Sequence, residues 1–138
     1  MLNLTLIISL FCGSLAAPPS PALTMFIAPE IKPYEGIWNA TCAVESSFNP
    51  YAIGDRHMKS HSYGIVQIRQ SRLDDYYRQT GIRYSVTDMY DPNKSKEVFM
   101  HYASGTNLES ISRCWNGGDR GMSKKSTLKY WKLIQKHL

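Results

Sequence analysis

The chain has 138 residues, 43% of them hydrophobic, with 16 Lys plus Arg against 11 Asp plus Glu and a net charge of +5. That length and composition suit one domain around one core, and no internal repeat or second domain is visible. No phosphate-binding glycine loop, CxxC pair or Ser-His-Asp elbow is present, so nucleotide, thiol-redox and triad chemistry have no footing.

Residues 1–17 read as a secretory signal, with the apolar run Leu4 to Phe11 followed by Ser14-Leu15-Ala16 at the cleavage positions. The run is too short to cross a bilayer as a helix. No Lys or Arg precedes it, and Phe11 is too bulky before Cys12 for a typical lipobox, so the expectation is a secreted or periplasmic chain without a lipid anchor. Residues 18–30 begin with Pro18-Pro19-Ser20-Pro21 and read as an extended linker. The folded domain is expected over 31–138.

The spacing predicts a helix over 32–48. At 100° per residue Tyr34, Ile37, Trp38, Thr41, Cys42, Val44 and Phe48 share an arc, and Glu45 falls inside it. A desolvated carboxyl has a raised pKa, which suits a general acid near neutral pH. The alternative is a Glu at the edge of the stripe with its head in solvent. Ser46 and Ser47 can bond the helix end, and Asn49-Pro50 stops the helix. Ala52 to Ile68, with Gly54, Gly64 and the Ile65-Val66-Gln67-Ile68 alternation, reads as a small hairpin or irregular loop. In it Asp55 fits a turn, and His57 and His61 sit four apart without the Glu of a metalloprotease helix, so no metal is expected.

Ser71 is expected to cap a helix ending at Gly81, and Asp91-Pro92 to open one whose apolar face is Val98, Phe99 and Tyr102, stopped by Gly105. Leu108, Ile111 and Trp115 mark a further helix closed by Gly117-Gly118, and Leu128, Trp131, Ile134 and Leu138 a last amphipathic one. Arg120, Lys124, Lys125, Lys129, Lys132 and Lys136 follow Asp119 with no further acid. Such a surface favours anionic polymers, cell wall and nucleic acid among them, and a solvated helix face is the plain alternative. Once a leader is removed Cys42 and Cys114 remain, an even pair that points to a disulfide in an exported chain, with two buried free thiols as the other reading.

Three motifs stand in order: Glu45-Ser46-Ser47-Phe48-Asn49-Pro50, then Ser62-Tyr63-Gly64-Ile65-Val66-Gln67-Ile68, then Trp115-Asn116-Gly117-Gly118. Together they resemble the catalytic core of the lysozyme-like superfamily. Soluble lytic transglycosylases are the nearest match, and invertebrate-type lysozymes are nearly as similar through Asn-Gly-Gly and the late Tyr130-Trp131. The resemblance implies a mainly α (α+β) fold with a small β-hairpin region. It implies a monomeric, cofactor-free enzyme that cuts the MurNAc-β-1,4-GlcNAc bond of peptidoglycan strands. Glu45 is then the acid and base, with the sugar's own 6-hydroxyl as nucleophile and an anhydro product. Ser62, Tyr63, Gln67, Trp115 and Asn116 would contact sugar. The alternative is a hydrolytic lysozyme in which Asp55 is the second carboxylate, about 5–10 Å from Glu45. Departures from the transglycosylase pattern are Gly54 in place of a substrate-contacting Ser, Arg69 in place of Met, Trp115 in place of Tyr, and a loop longer by about four residues. Rival classes are a non-catalytic wall-binding module and a basic nucleic-acid binder. The export signal and the expected disulfide argue against the latter, so no nucleic-acid partner is expected.

Overall fold

The computed structural model describes residues 34–103 and 107–138. The expectations for the leader, the linker, Cys12 and Gly105 lie outside these residues. The described chain folds as α1 (Glu35–Ser46), β1 (Ile53–Gly54), β2 (Ser62–Tyr63), β3 (Ile68–Arg69), α2 (Gln70–Thr80), a 3₁₀ turn (Val86–Tyr90), α3 (Pro92–Tyr102), α4 (Leu108–Gly117), a short 3₁₀ turn (Gly121–Ser123) and α5 (Ser126–Ile134). This is the expected mainly helical fold with one small antiparallel sheet, in order β1-β2-β3. None of the helices is long and apolar enough to cross a membrane, among the described residues.

The inner face of α1 buries Ile37, Trp38, Ala40, Thr41 and Cys42 as its periodicity requires. The helix stops earlier than expected. Ser47 and Phe48 adopt left-handed backbone, with φ of 52° and 64°, and their N–H groups return to Ala43 O and Cys42 O. That reversal throws Phe48 off the inner arc, and it is 53% exposed. Ser46 Oγ donates to Ile65 O at 2.7 Å, tying the end of α1 to the loop that carries the sheet.

Ile65-Val66-Gln67 is not a strand, although it alternates with Ile68. Residues 64–67 form a turn, entered at Gly64 (φ 78°) and left at Gln67 (φ 57°), and Ile65 and Val66 are both buried. Gly64 is required there, because a Cβ would run into the Met89 carbonyl. The strand pairs are only two residues long: Ile53 with Tyr63 and Gly54 with Ser62, then Ser62 with Arg69 and Tyr63 with Ile68.

Asp91 caps α3 by accepting from Asn93 N–H ahead of Pro92, and Gly81 and Gly118 close α2 and α4 with positive φ, Gly81 in the left-handed helical conformation. Ser71 does not cap α2; Arg69 holds the N-cap position in extended backbone, and Ser71 sits in the first turn. The core joins Ile37, Trp38, Val66, Ile68, Leu73, Met89, Val98, Phe99, Ile111 and Ile134. Phe99 lies edge-on to both Trp38 and Trp115, at 5.5 and 4.9 Å between centroids.

α5 is rotated from expectation. Its buried residues are Thr127, Tyr130 and Ile134, whereas Leu128 and Leu138 are exposed. The buried guanidinium of Arg113 sets this roll. It donates to Thr127 Oγ1 (3.0 Å), Glu109 Oε1 (2.7 Å) and Met122 O (2.6 Å), so Thr127 faces α4 and Tyr130 faces α1. A buried charge with this many partners fixes one arrangement, because leaving any of them unpaired is costly.

The cysteine expectation is corrected. Cys42 and Cys114 are free thiols, Cys42 fully buried and Cys114 half-buried. Cys42 sits on the inner face of α1 as a small apolar residue, and burial pushes its thiol up to about 12.

Candidate active site

A cleft of about 700 Å³ opens between the helical part and the sheet. Its lining includes Glu45, Gly54, Asp55, Ser62, Gln67, Arg69, Arg72, Trp115 and Asn116. Six of the seven functional residues expected from the sequence therefore meet here. Tyr63 does not. It alternates with Ser62 on β2, points away from the cleft, and packs edge-on to Tyr90 at 6.3 Å.

Glu45 occupies the last turn of α1 and is half-buried. Tyr130, from the far end of the chain, donates its hydroxyl to Glu45 Oε1 at 2.7 Å. Burial pushes the Glu45 carboxyl up from 4.5 to about 7; the Tyr130 hydrogen bond opposes this, and the Asp55 charge adds to it. Glu45 can thus keep a proton near neutral pH and stands at the wall of an open cleft. Tyr130, itself buried, is held far above its ordinary range by desolvation, then by the Glu45 charge, so it stays a donor.

Asp55 lies on the sheet wall with left-handed backbone, φ 54°, a conformation Asp tolerates better than most residues. Arg69 donates to its Oδ2 at 2.7 Å, and Ser62 Oγ lies 3.0 Å from the same atom. The Arg69 hydrogen bond first, and the Ser62 bond with it, hold the Asp55 carboxyl below its usual range. Asp55 is therefore an anion at neutral pH. The two carboxyl groups share a cleft with opposite protonation tendencies.

Gln67 serves the loop rather than a free binding position. Its amide nitrogen donates to Gly64 O (2.9 Å) and Ala52 O (3.3 Å), and its oxygen lies 2.7 Å from Ser62 Oγ. Both amide hydrogens are used internally, so the side chain clips the two turns together at the cleft lining. Ser62 is buried, and its single hydroxyl proton serves Asp55 or Gln67 at any moment. Gly54 is explained by the same cluster. A Cβ there would collide with Gln67 Oε1 and Ser62 Oγ, so a serine at this position has no room.

Across the cleft Arg72 donates to Trp115 O at 3.1 Å and lies over the Trp115 and Tyr102 rings at 5.0 and 4.5 Å. This fixes Trp115 as a half-buried wall, with Asn116 exposed beside it. His57 and His61 gain no companions: no group of three or more His, Cys, Asp or Glu is gathered as for a metal ion, among the described residues.

Sequence reasoning missed Tyr130, Arg69 and Arg72 as site residues. In the sequence Tyr130 enters only through the late Tyr130-Trp131 pair, and the Thr127, Tyr130, Ile134 spacing is the signal that places it inward.

Residues 35–137 match the Transglycosylase SLT domain. Over 100 residues the chain is 31% identical to a lysozyme from Magallana gigas, covering 67% of this chain and 72% of that protein. Tapes japonica lysozyme superposes with a TM-score of 0.60 at 29% identity, covering 74% of this chain and 88% of the other. A chain in the crystal structure of Aeromonas hydrophila PliI in complex with Meretrix lusoria lysozyme gives 0.62 at 26% identity, with the same two coverages. The helical scaffold and small sheet, with a protonatable glutamate between them, define a lysozyme-like domain. The chain belongs to the transglycosylase SLT domain family and is related to the invertebrate lysozymes named above.

Proposed function

We propose that the chain is an exported, monomeric muramidase that cleaves peptidoglycan glycan strands as a lysozyme-type hydrolase, with Glu45 and Asp55 as its two carboxylates. The observation that carries this reading is their split protonation within one cleft: Glu45 raised to about 7 by burial, Asp55 held low by Arg69. Glycosidic cleavage asks for one carboxylic acid to protonate the leaving oxygen and one carboxylate to stabilise or trap the oxocarbenium-like centre. Glu45 supplies the proton, and Tyr130 supports the carboxylate left behind. Asp55 meets the positive charge developing at the sugar carbon. Trp115 offers a ring face and Asn116 a side-chain amide to the sugars.

The motifs by themselves put the single-glutamate transglycosylase first. The charge split and the kinship to lysozymes support placing the hydrolase first. The transglycosylase remains the second reading, favoured by one observation: both Asp55 bonds, to Arg69 and Ser62, engage Oδ2 as a structural anchor would. Product mass separates the two. Digested peptidoglycan is expected to yield reducing-end muropeptides; anhydro-muropeptides, one water lighter, would overturn the hydrolytic reading.

A further inference from the structure

We propose that the outer face of α5 is a reversible docking surface for an anionic lipid bilayer. Lys125, Lys129, Lys132 and Lys136 are all exposed. At about 100° per residue they fall within an arc of about 60°. Helical backbone extends far enough to hold all four on it: Lys125 and Gln135 both have helical φ and ψ, and Lys136 N–H bonds Leu133 O. Their charges therefore form a row along the helix about 16 Å long, taking the helical rise per residue.

No ion pair involves any of the four among the described residues. The segment after Asp119 contains no acid to supply one. Like charges three and four residues apart repel along a helix. The helix dipole opposes Lys125 at the N-terminal end and favours Lys132 in the last turn, so what stands uncompensated is the mutual repulsion of the row, and its counter-charge is expected from outside the chain. The apolar neighbours narrow the partner. Leu128 and Leu133 flank the row, one on each side, and are 41% and 46% exposed. A soluble polyanion offers nothing to these side chains. A bilayer interface offers phosphate to the lysines and acyl surface to the leucines. The inner face of α5 is committed to the core through Tyr130 and Ile134, so the helix would lie on the surface as part of the folded domain.

The test is co-sedimentation of the folded full chain with vesicles of equal parts phosphatidylglycerol and phosphatidylcholine, against pure phosphatidylcholine. The wild type is expected to bind the anionic vesicles alone. Replacing all four lysines (K125Q, K129Q, K132Q, K136Q) should weaken binding by at least about a hundredfold, at roughly fivefold per lysine. Leu128→Ser with Leu133→Ser should weaken it about tenfold with the charge intact. Both variants should keep wild-type cleavage of a soluble oligosaccharide and wild-type melting, and Glu45→Gln should bind vesicles like the wild type. Equal binding to both vesicle types would overturn the proposal. So would wild-type vesicle binding by the leucine variant, which would mark a site for any polyanion; inorganic polyphosphate would then compete fully.

Discussion

The two walls of the cleft are built in different ways. The helical wall packs closely around its acid. Glu45 is half-buried at the end of α1, and its hydrogen-bond partner Tyr130 lies 85 positions away in the chain. The sheet wall is polar and local. Asp55, Ser62, Gln67 and Arg69 lie within one short stretch, use short-range hydrogen bonds, and include two non-glycine residues with positive φ. Burial makes an acid on one wall, and charge-paired exposure makes an anion on the other. The difference teaches that the separated protonation states arise from two architectures, so each can be broken without the other.

The largest effect is expected at Glu45. Glu45→Gln should lower turnover of peptidoglycan at least about a thousandfold, because the amide cannot donate the proton. The same variant tests the burial of Glu45. A folded pKa raised from 4.5 to about 7 means that the Glu45 contribution to native stability is full below about pH 4.5 and is lost as pH rises to 7. Between pH 4.5 and 8 the wild type should lose about 3 kcal/mol relative to Glu45→Gln in denaturant titrations. Parallel stability curves for the two proteins would show that Glu45 is solvated.

Asp55→Asn tests the sheet wall. It should reduce turnover about a hundredfold if Asp55 faces the reacting carbon, and leave it nearly unchanged under the single-glutamate route. Turbidity clearing, read together with product mass, decides between them.

Tyr130→Phe should lower kcat about tenfold, since a hydrogen bond to a charged group contributes roughly 1.5–3 kcal/mol. Its hydrogen bond favours the ionised form of Glu45. Removing it should move the alkaline limb of the pH–rate profile to higher pH. A limb that stays in place would reduce Tyr130 to packing.

The smallest effect is expected from Gly54→Ala. The added methyl displaces Gln67 and its clip, costing about 1–3 kcal/mol of stability by thermal melting and a few-fold in turnover. The acid limb set by Asp55 should change more than the alkaline limb set by Glu45.

What the sequence alone determined is what short-range rules control. The inner stripe of α1, the Asp91-Pro92 start of α3, and the glycine stops of α2 and α4 follow from periodicity and capping, which need only neighbouring residues. Glu45 was legible because a carboxylate on an apolar stripe breaks a local pattern. Asp55, Ser62, Gln67, Trp115 and Asn116 were legible as motif members, although only the structure shows that the Gln67 amide serves the loop. The tertiary structure decided the rest, because those features depend on packing between distant elements. The roll of α5 follows from the buried Arg113, the 47–48 reversal removes Phe48 from the core, and Gly64 fits beneath Met89. Cys42 and Cys114 remain free thiols, a question that pair counting left open. Tyr130 became the partner of Glu45 through the same roll, since Leu128 and Tyr130 are two positions apart and only one of them can face α1.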